Sequence, residues 1–170
     1  ALHDGPYFCQ GDLFISARNG SWIMHFRPST GKVIRLLEGP FYSQHDVDIE
    51  SDSTLTVFNN NCLQNERPTP NKWPMSDRAY EVGSFSSQVV RIHLNRPGFE
   101  VLDQDLWEAH EIYSFTEGEV DHLPGGGYFV EEQNSSVLWV IKEGQVRYKN
   151  VLPSHHPGYH HLANWARVMP

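Results

Sequence analysis

Several things are scarce in this sequence, and each shortage excludes something. Only two cysteines, Cys9 and Cys62, occur in 170 residues, too few to define a disulfide framework. They either pair with each other in an oxidising compartment or stand as two separate thiols. No apolar run approaches the ~20 residues that a membrane-spanning helix needs. Positive charge is short as well. Thirteen Lys and Arg face 21 Asp and Glu, a net charge of −8, which argues against a nucleic-acid backbone as partner. The first residues carry no signal-peptide pattern, so Ala1 follows either a processing site or an introduced cut.

What is present suits a packed β protein. Apolar residues make up 39% and aromatics 12%, and 13 Gly with 11 Pro supply many turns. The length is enough for one domain with a real core. The chain also repeats itself. A buried-strand pattern occurs at residues 12–16 (DLFIS), 55–58 (LTVF) and 128–131 (YFVE). Each is followed by a polar turn and a second apolar strand, at 22–26 (WIMHF), 88–92 (QVVRI) and 137–141 (VLWVI). Each of those leads, through a turn at 29–31, 96–98 or 142–144, to an alternating outer strand at 32–36, 99–102 or 145–148. A polar strand precedes the second and third copies, at 45–49 and 119–123, and none is evident before the first.

This unit of four short antiparallel strands reads as a propeller blade, which cannot bury both faces alone and must stack on neighbours. The expected fold is all-β: a β-propeller-like single domain over residues 1–170, with about three blades at roughly 11–38, 45–106 and 119–152 and a tail at 153–170. The competing reading is an ordinary antiparallel sandwich. Known propellers typically have four or more blades. The expectation is therefore a piece of a larger chain, an open stack, or one subunit whose ring is completed by further blades or another subunit. Residues 62–84 read as a long loop, because Pro68, Pro70 and Pro74 oppose regular structure, and loops of that length often act as lids. Residues 107–115 read as a short helical turn or an inserted strand. In the tail, residues 162–165 are expected to dock on the sheet.

Four segments in order carry a family resemblance. Residues 11–19, GDLFISARN, resemble the GDLLISARN segment of the arylsulfotransferase family. Gly39-Pro40 with Gln44-His45-Asp46, and then residues 54–60, resemble its glycine, QHD and LFDN segment. Thr116-Glu117-Gly118, Leu123-Pro124 and residues 129–134, FVEEQN, resemble its TEG, LP and FVEETN segment. Asn164-Trp165-Ala166-Arg167 resembles its NWSR. Family members are longer, so the chain resembles a C-terminal portion of the propeller. The resemblance implies transfer of a sulfuryl group from an aryl sulfate ester to a phenol, with no nucleotide donor and no cofactor, by a ping-pong route through a sulfated histidine. It implies small aromatic sulfates and phenols as partners. It places the protein outside the cytoplasm: periplasmic, secreted, or membrane-anchored with the anchor outside this chain.

The chemistry asks for specific side chains. An imidazole is a nucleophile near neutral pH. A second histidine can protonate the departing phenolate. A cation can hold the sulfuryl oxygens as charge develops. His45 matches the family's QHD histidine and reads as a general acid/base or a sulfuryl-contacting residue; it heads an inner strand, where simple alternation sends Val47 and Ile49 to its own face. Asp46 either orients His45 or caps the turn. Asn59 and Asn60 fall at the family's DN. A basic residue usually follows there; here the nearest arginine is Arg67. By repeat position Glu119 is the counterpart of His45 and cannot be a sulfohistidine. His122, three residues on, points opposite to Glu119 by alternation. The nucleophile is His3, or lies outside this chain, or this member is inactive. Thus His45, His3 and Asp46 form the candidate catalytic set, and Asn59, Asn60, Arg67, Glu119 and His122 the candidate substrate-binding set. His25, His93 and His110 read as structural. His155, His156, His160 and His161 are either a weak metal tract or an exposed polar loop. Two sequons, at Asn19 and Asn134, fall in equivalent turns. The alternative to an enzyme is a non-catalytic propeller module for binding or assembly.

Overall fold

A computed structural model of the chain describes residues 1–64, 79–81, 86–166 and 168–169. Its first sheet is three-stranded, β1 (Leu13–Ala17), β2 (Trp22–Arg27) and β3 (Lys32–Glu38), in that order. The second has four strands in the order β4 (His45–Ser51), β5 (Thr54–Asn59), β8 (Gln88–His93) and β9 (Phe99–Leu102). The third runs β10 (Glu119–His122), β11 (Tyr128–Glu132), β12 (Val137–Lys142) and β13 (Gln145–Val151). Every ladder in these sheets is antiparallel. The architecture is all-β and consistent with a partial propeller, and among the described residues the first sheet has no inner strand, as the repeat predicts.

Local chemistry explains the turns. Glu143 and Gly144 both have positive φ, 55° and 66°, in the two-residue connection between Lys142 and Gln145. That is the left-handed geometry a tight hairpin needs, and glycine supplies it without steric cost. Short 3-10 turns at Arg18–Gly20 and Gln133–Ser135 join β1 to β2 and β11 to β12, and each ends on a serine at φ near 50°, Ser21 and Ser136. In the second sheet the same position opens instead into a small ribbon.

That ribbon corrects the expectation of an irregular stretch over 62–84. β6 (Cys62–Gln64) pairs antiparallel with β7 (Ala79–Glu81), because neither end contains a proline and both can supply ladder donors. The three prolines, Arg67 and the proposed lid fall outside the described residues. The stretch after β9 is a short helix, α1 (Gln104–Ala109), which buries Trp107.

Two apolar clusters lie between the sheets. Ile23 on β2 packs with Phe8 and Phe41 against Leu55, Val57, Val90 and Ile92 of the second sheet. Phe58 and Val89, from the other face of that sheet, pack with Trp107 and Ile112 against Val120, Val130, Trp139 and Ile141 of the third. Beside the first cluster, buried Asp12 accepts from Arg27, from His25 Nε2 at 2.7 Å and from the Cys9 N–H at 2.8 Å. The Arg27 guanidinium holds the Asp12 carboxyl far below the usual carboxylate range. Cys9 and Cys62 are separate free thiols, the first exposed and the second buried.

Candidate functional site

The site grows from one irregularity in β4. His45 pairs with Phe58 while Val47 pairs with Val57, so one residue, Asp46, is extra on its strand. Asp46 has φ 51°. This β-bulge reverses the expected facing. Val47 and Ile49 share the face of Val57 and Leu55, toward the first sheet, and His45 shares the face of Phe58, toward the third. Alternation fails here because an inserted residue leaves no mark in a period-two pattern. The Asp46 carboxylate also accepts the Val120 N–H at 2.7 Å, tying the inner strands β4 and β10 together.

Three consecutive asparagines divide the work around His45. Asn59 is fully buried. Its Oδ1 accepts the N–H groups of Tyr42 and Asn61, and its Nδ2 donates to Gln88 Oε1, so it braces the loop before β4. Asn61 Nδ2 donates to the Ser86 carbonyl. Asn60, also fully buried, donates through Nδ2 to the carbonyls of Ser114 (2.6 Å) and Glu117 (3.2 Å). Those two bonds settle which way its amide faces, leaving Oδ1 toward His45 Nδ1 at 2.7 Å. A carbonyl oxygen accepts only, so Nδ1 carries the proton and Nε2 keeps its lone pair. Burial pushes the His45 pKa down, the Asn60 bond raises it, and the charge of Arg18 lowers it further, with a net downward shift. The half-buried imidazole is therefore neutral at neutral pH.

Arg18 supplies a positive charge close enough to lower the His45 pKa. It follows the last residue of β1 and reaches across to the segment before β10, donating from Nε to the Thr116 carbonyl (3.1 Å) and from a terminal nitrogen to the Phe115 carbonyl (3.0 Å). A third bond goes to Asn19 Oδ1, so three of its five N–H donors are engaged. The signal for Arg18 was in the repeat. Ala17, Asn59 and Glu132 are the last paired residues of their strands. The residues that follow, Arg18, Asn60 and Gln133, are equivalent: Asn60 bonds His45, Gln133 lines the adjoining cavity, and Arg18 bonds the Phe115 and Thr116 carbonyls.

A cavity of about 120 Å³ opens here, lined by His45, Asp46, Glu117, Gly118, Glu119, Glu131, Gln133, Asn164 and Trp165. Gly118 is required by space, since a Cβ there would overlap the Phe58 ring. Of the expected residues, the fold brings His45, Asp46 and Glu119 to the cavity and Asn60 to His45. It places others elsewhere. His3 bonds to Asp52 at 2.9 Å, in the turn beyond the far end of β4. That is about 20 Å from His45 along the strand at ~3.3 Å per residue. His122 faces the second sheet, with Nε2 on Thr56 Oγ1 at 2.9 Å and Nδ1 3.8 Å from Glu50. Arg67 lies outside the described residues. The tail docks through buried Ala163, whose N–H donates to Ser136 Oγ. Among the described residues no group of three His, Cys, Asp or Glu could hold a metal ion.

A family model described as arylsulfotransferase (ASST) matches residues 2–151. No curated protein matches the chain.

Proposed function

This chain belongs to the arylsulfotransferase family, and on that premise we propose that it transfers a sulfuryl group from an aryl sulfate ester to a phenol through His45. The observation that carries this reading is the His45–Asn60 pair, which leaves a neutral imidazole with Nε2 unprotonated beside the charge of Arg18. In the first half-reaction the Nε2 lone pair forms an N–S bond as the ester S–O bond breaks, and the electron pair leaves with the phenolate. Arg18 offsets negative charge on the sulfuryl oxygens. In the second, a phenol oxygen attacks sulfur and the N–S bond breaks. The lone pair returns to Nε2, and the phenol's proton passes to solvent or to the first phenolate. Small aromatic sulfates and phenols are the partners in this reading, and the setting is extracytoplasmic. Further sheets of this same repeat, from a longer chain or another subunit, complete the ring.

The test is phenol release from an aryl sulfate, with and without a phenolic acceptor. His45→Ala should lower transfer by on the order of 10²-fold or more while leaving the fold intact, since a half-buried rim side chain contributes little to the core. Because the His45 pKa lies below the ordinary value of 6.5, the acid limb of the rate profile should fall below pH 6.5. Unchanged rates in the variant, or no release by the wild type, would defeat the enzyme reading.

One observation favours the alternative, a non-catalytic binding module. Asp46, Glu117, Glu119 and Glu131 line the cavity that contains His45, and carboxylates disfavour a sulfate anion. Aryl sulfate that neither binds nor reacts would decide for that reading.

A further inference from the structure

We propose that Trp165 is the platform on which the substrate's aromatic ring lies, at the mouth of the His45 cavity. This rests on the sulfuryl-transfer reading and adds where the ring binds.

Size comes first. Sites that enclose a small molecule usually measure about 300–1,000 Å³, and this cavity holds about 120 Å³. A sulfuryl head fits that volume; a head and an aromatic ring together do not. With the head beside His45, the ring must rest outside, against whatever side chain stands at the mouth.

Trp165 stands there. It lines the cavity and is 71% exposed. Trp107 and Trp139, by contrast, are fully buried and Trp22 is half-buried. One exposed apolar side chain needs no explanation by itself, but the backbone beneath this one is unusual. Trp165 has φ 60°, a region that bulky side chains rarely adopt. Such a conformation persists only when the surroundings hold it, and here both flanks are held. The Ala163 N–H donates to Ser136 Oγ at 3.1 Å and the Ala166 N–H to Glu131 Oε2 at 2.6 Å. Upstream, His160 bridges to Pro153, and its Nε2 meets the Asn134 carbonyl at 2.8 Å. The tail is pinned to the third sheet before and after Trp165, while the indole itself projects at the cavity. A rigidly mounted, solvent-facing indole offers stacking area at small entropic cost.

The ring therefore sets selectivity. Naphthyl sulfate should be preferred over phenyl sulfate, since more ring overlaps the indole. In Trp165→Ala the KM for naphthyl sulfate should rise about 3- to 10-fold, the range expected for one aromatic pair, with kcat changed less than about twofold. Trp165→Phe should retain most of the affinity, and it guards against a folding artefact in the alanine variant. A second arm does not depend on turnover: naphthol binding, followed by saturation-transfer NMR in a His45→Ala background, with and without Trp165→Ala. Loss of naphthol binding on removing the indole supports the proposal even if no transfer is ever observed. Naphthol binding that survives Trp165→Ala, or no naphthol binding with the indole present, overturns it, even where transfer proceeds.

Discussion

The first and third sheets carry the same pattern and have opposite surfaces. Counting back from the last pair of each hairpin, Leu13, Ile15, Met24 and Phe26 on the first sheet correspond to Tyr128, Val130, Trp139 and Ile141 on the third. Leu13 is 46% exposed and Tyr128 5%; Ile15 is 37% exposed and Val130 0%. The second sheet sides with the third, since Leu55, Val57, Val90 and Ile92 are all buried. In those two sheets this face is covered by the sheet that precedes it. Core and surface are thus assigned here by the presence of a neighbour and not by residue type. The open apolar face continues onto β3 at Val33 and Leu36.

The largest test of that contrast is truncation. Trp139→Ala should cost about 3–5 kcal/mol, the range for a buried aromatic, and Met24→Ala under about 1 kcal/mol, both read from urea unfolding of the chain. Equal costs would mean that the first sheet's face is covered in solution.

Next in size is a difference in sign with pH. Asp12 supports the first sheet with its carboxyl held down chiefly by Arg27. A depressed carboxylate stabilises above its unfolded value, and that contribution is lost as pH falls toward the folded value. Glu132 in the third sheet is buried beneath Trp139 Nε1, and burial raises its pKa despite that bond. Its contribution is present below the ordinary carboxylate value and lost as pH rises through the raised one. Melting temperatures from pH 3 to 7 should therefore respond oppositely. Asp12→Asn should flatten the acid side of the profile, and Glu132→Gln should lift the neutral side relative to the acid side. Shifts of the same sign would break the contrast.

The smallest effect sharpens it. Lys149 lies over the Trp139 ring at 4.2 Å. The corresponding pair in the first sheet is Leu36 beside Met24. Lys149→Met should cost about 0.5–1 kcal/mol by losing the cation–π contact. Leu36→Lys should change unfolding by less than ~0.5 kcal/mol, as an exposed substitution does.

Most of the fold was legible because the strand order and turn residues recur together. The missing inner strand of the first sheet could be read for the same reason: no polar strand precedes residue 12. The ribbon β6–β7 and helix α1 were harder to see, since each is a single short insertion without a repeat partner. At the cavity, His45, Asp46 and Glu119 are residues that register and resemblance had singled out. The facing of His45 was not legible, because the bulge at Asp46 obeys local backbone geometry and leaves the apolar pattern unchanged. Arg18 was hidden by distance along the chain. It reaches Phe115 and Thr116 across 97 and 98 positions, and only aligning it with Asn60 brings it into view.

Asp46 has an evolutionary consequence. One residue turns the imidazole toward the cavity and clasps the next inner strand, so two selective pressures meet on a single codon. Glycine would satisfy the backbone and abandon the clasp. Glutamate would keep the charge but carry it one methylene further from the Val120 N–H that Asp46 accepts. Asparagine comes nearest, with an oxygen for the Val120 N–H and good tolerance of positive φ. Few side chains can therefore stand at this position, because the bond that holds β4 to β10 and the positive-φ backbone both depend on it.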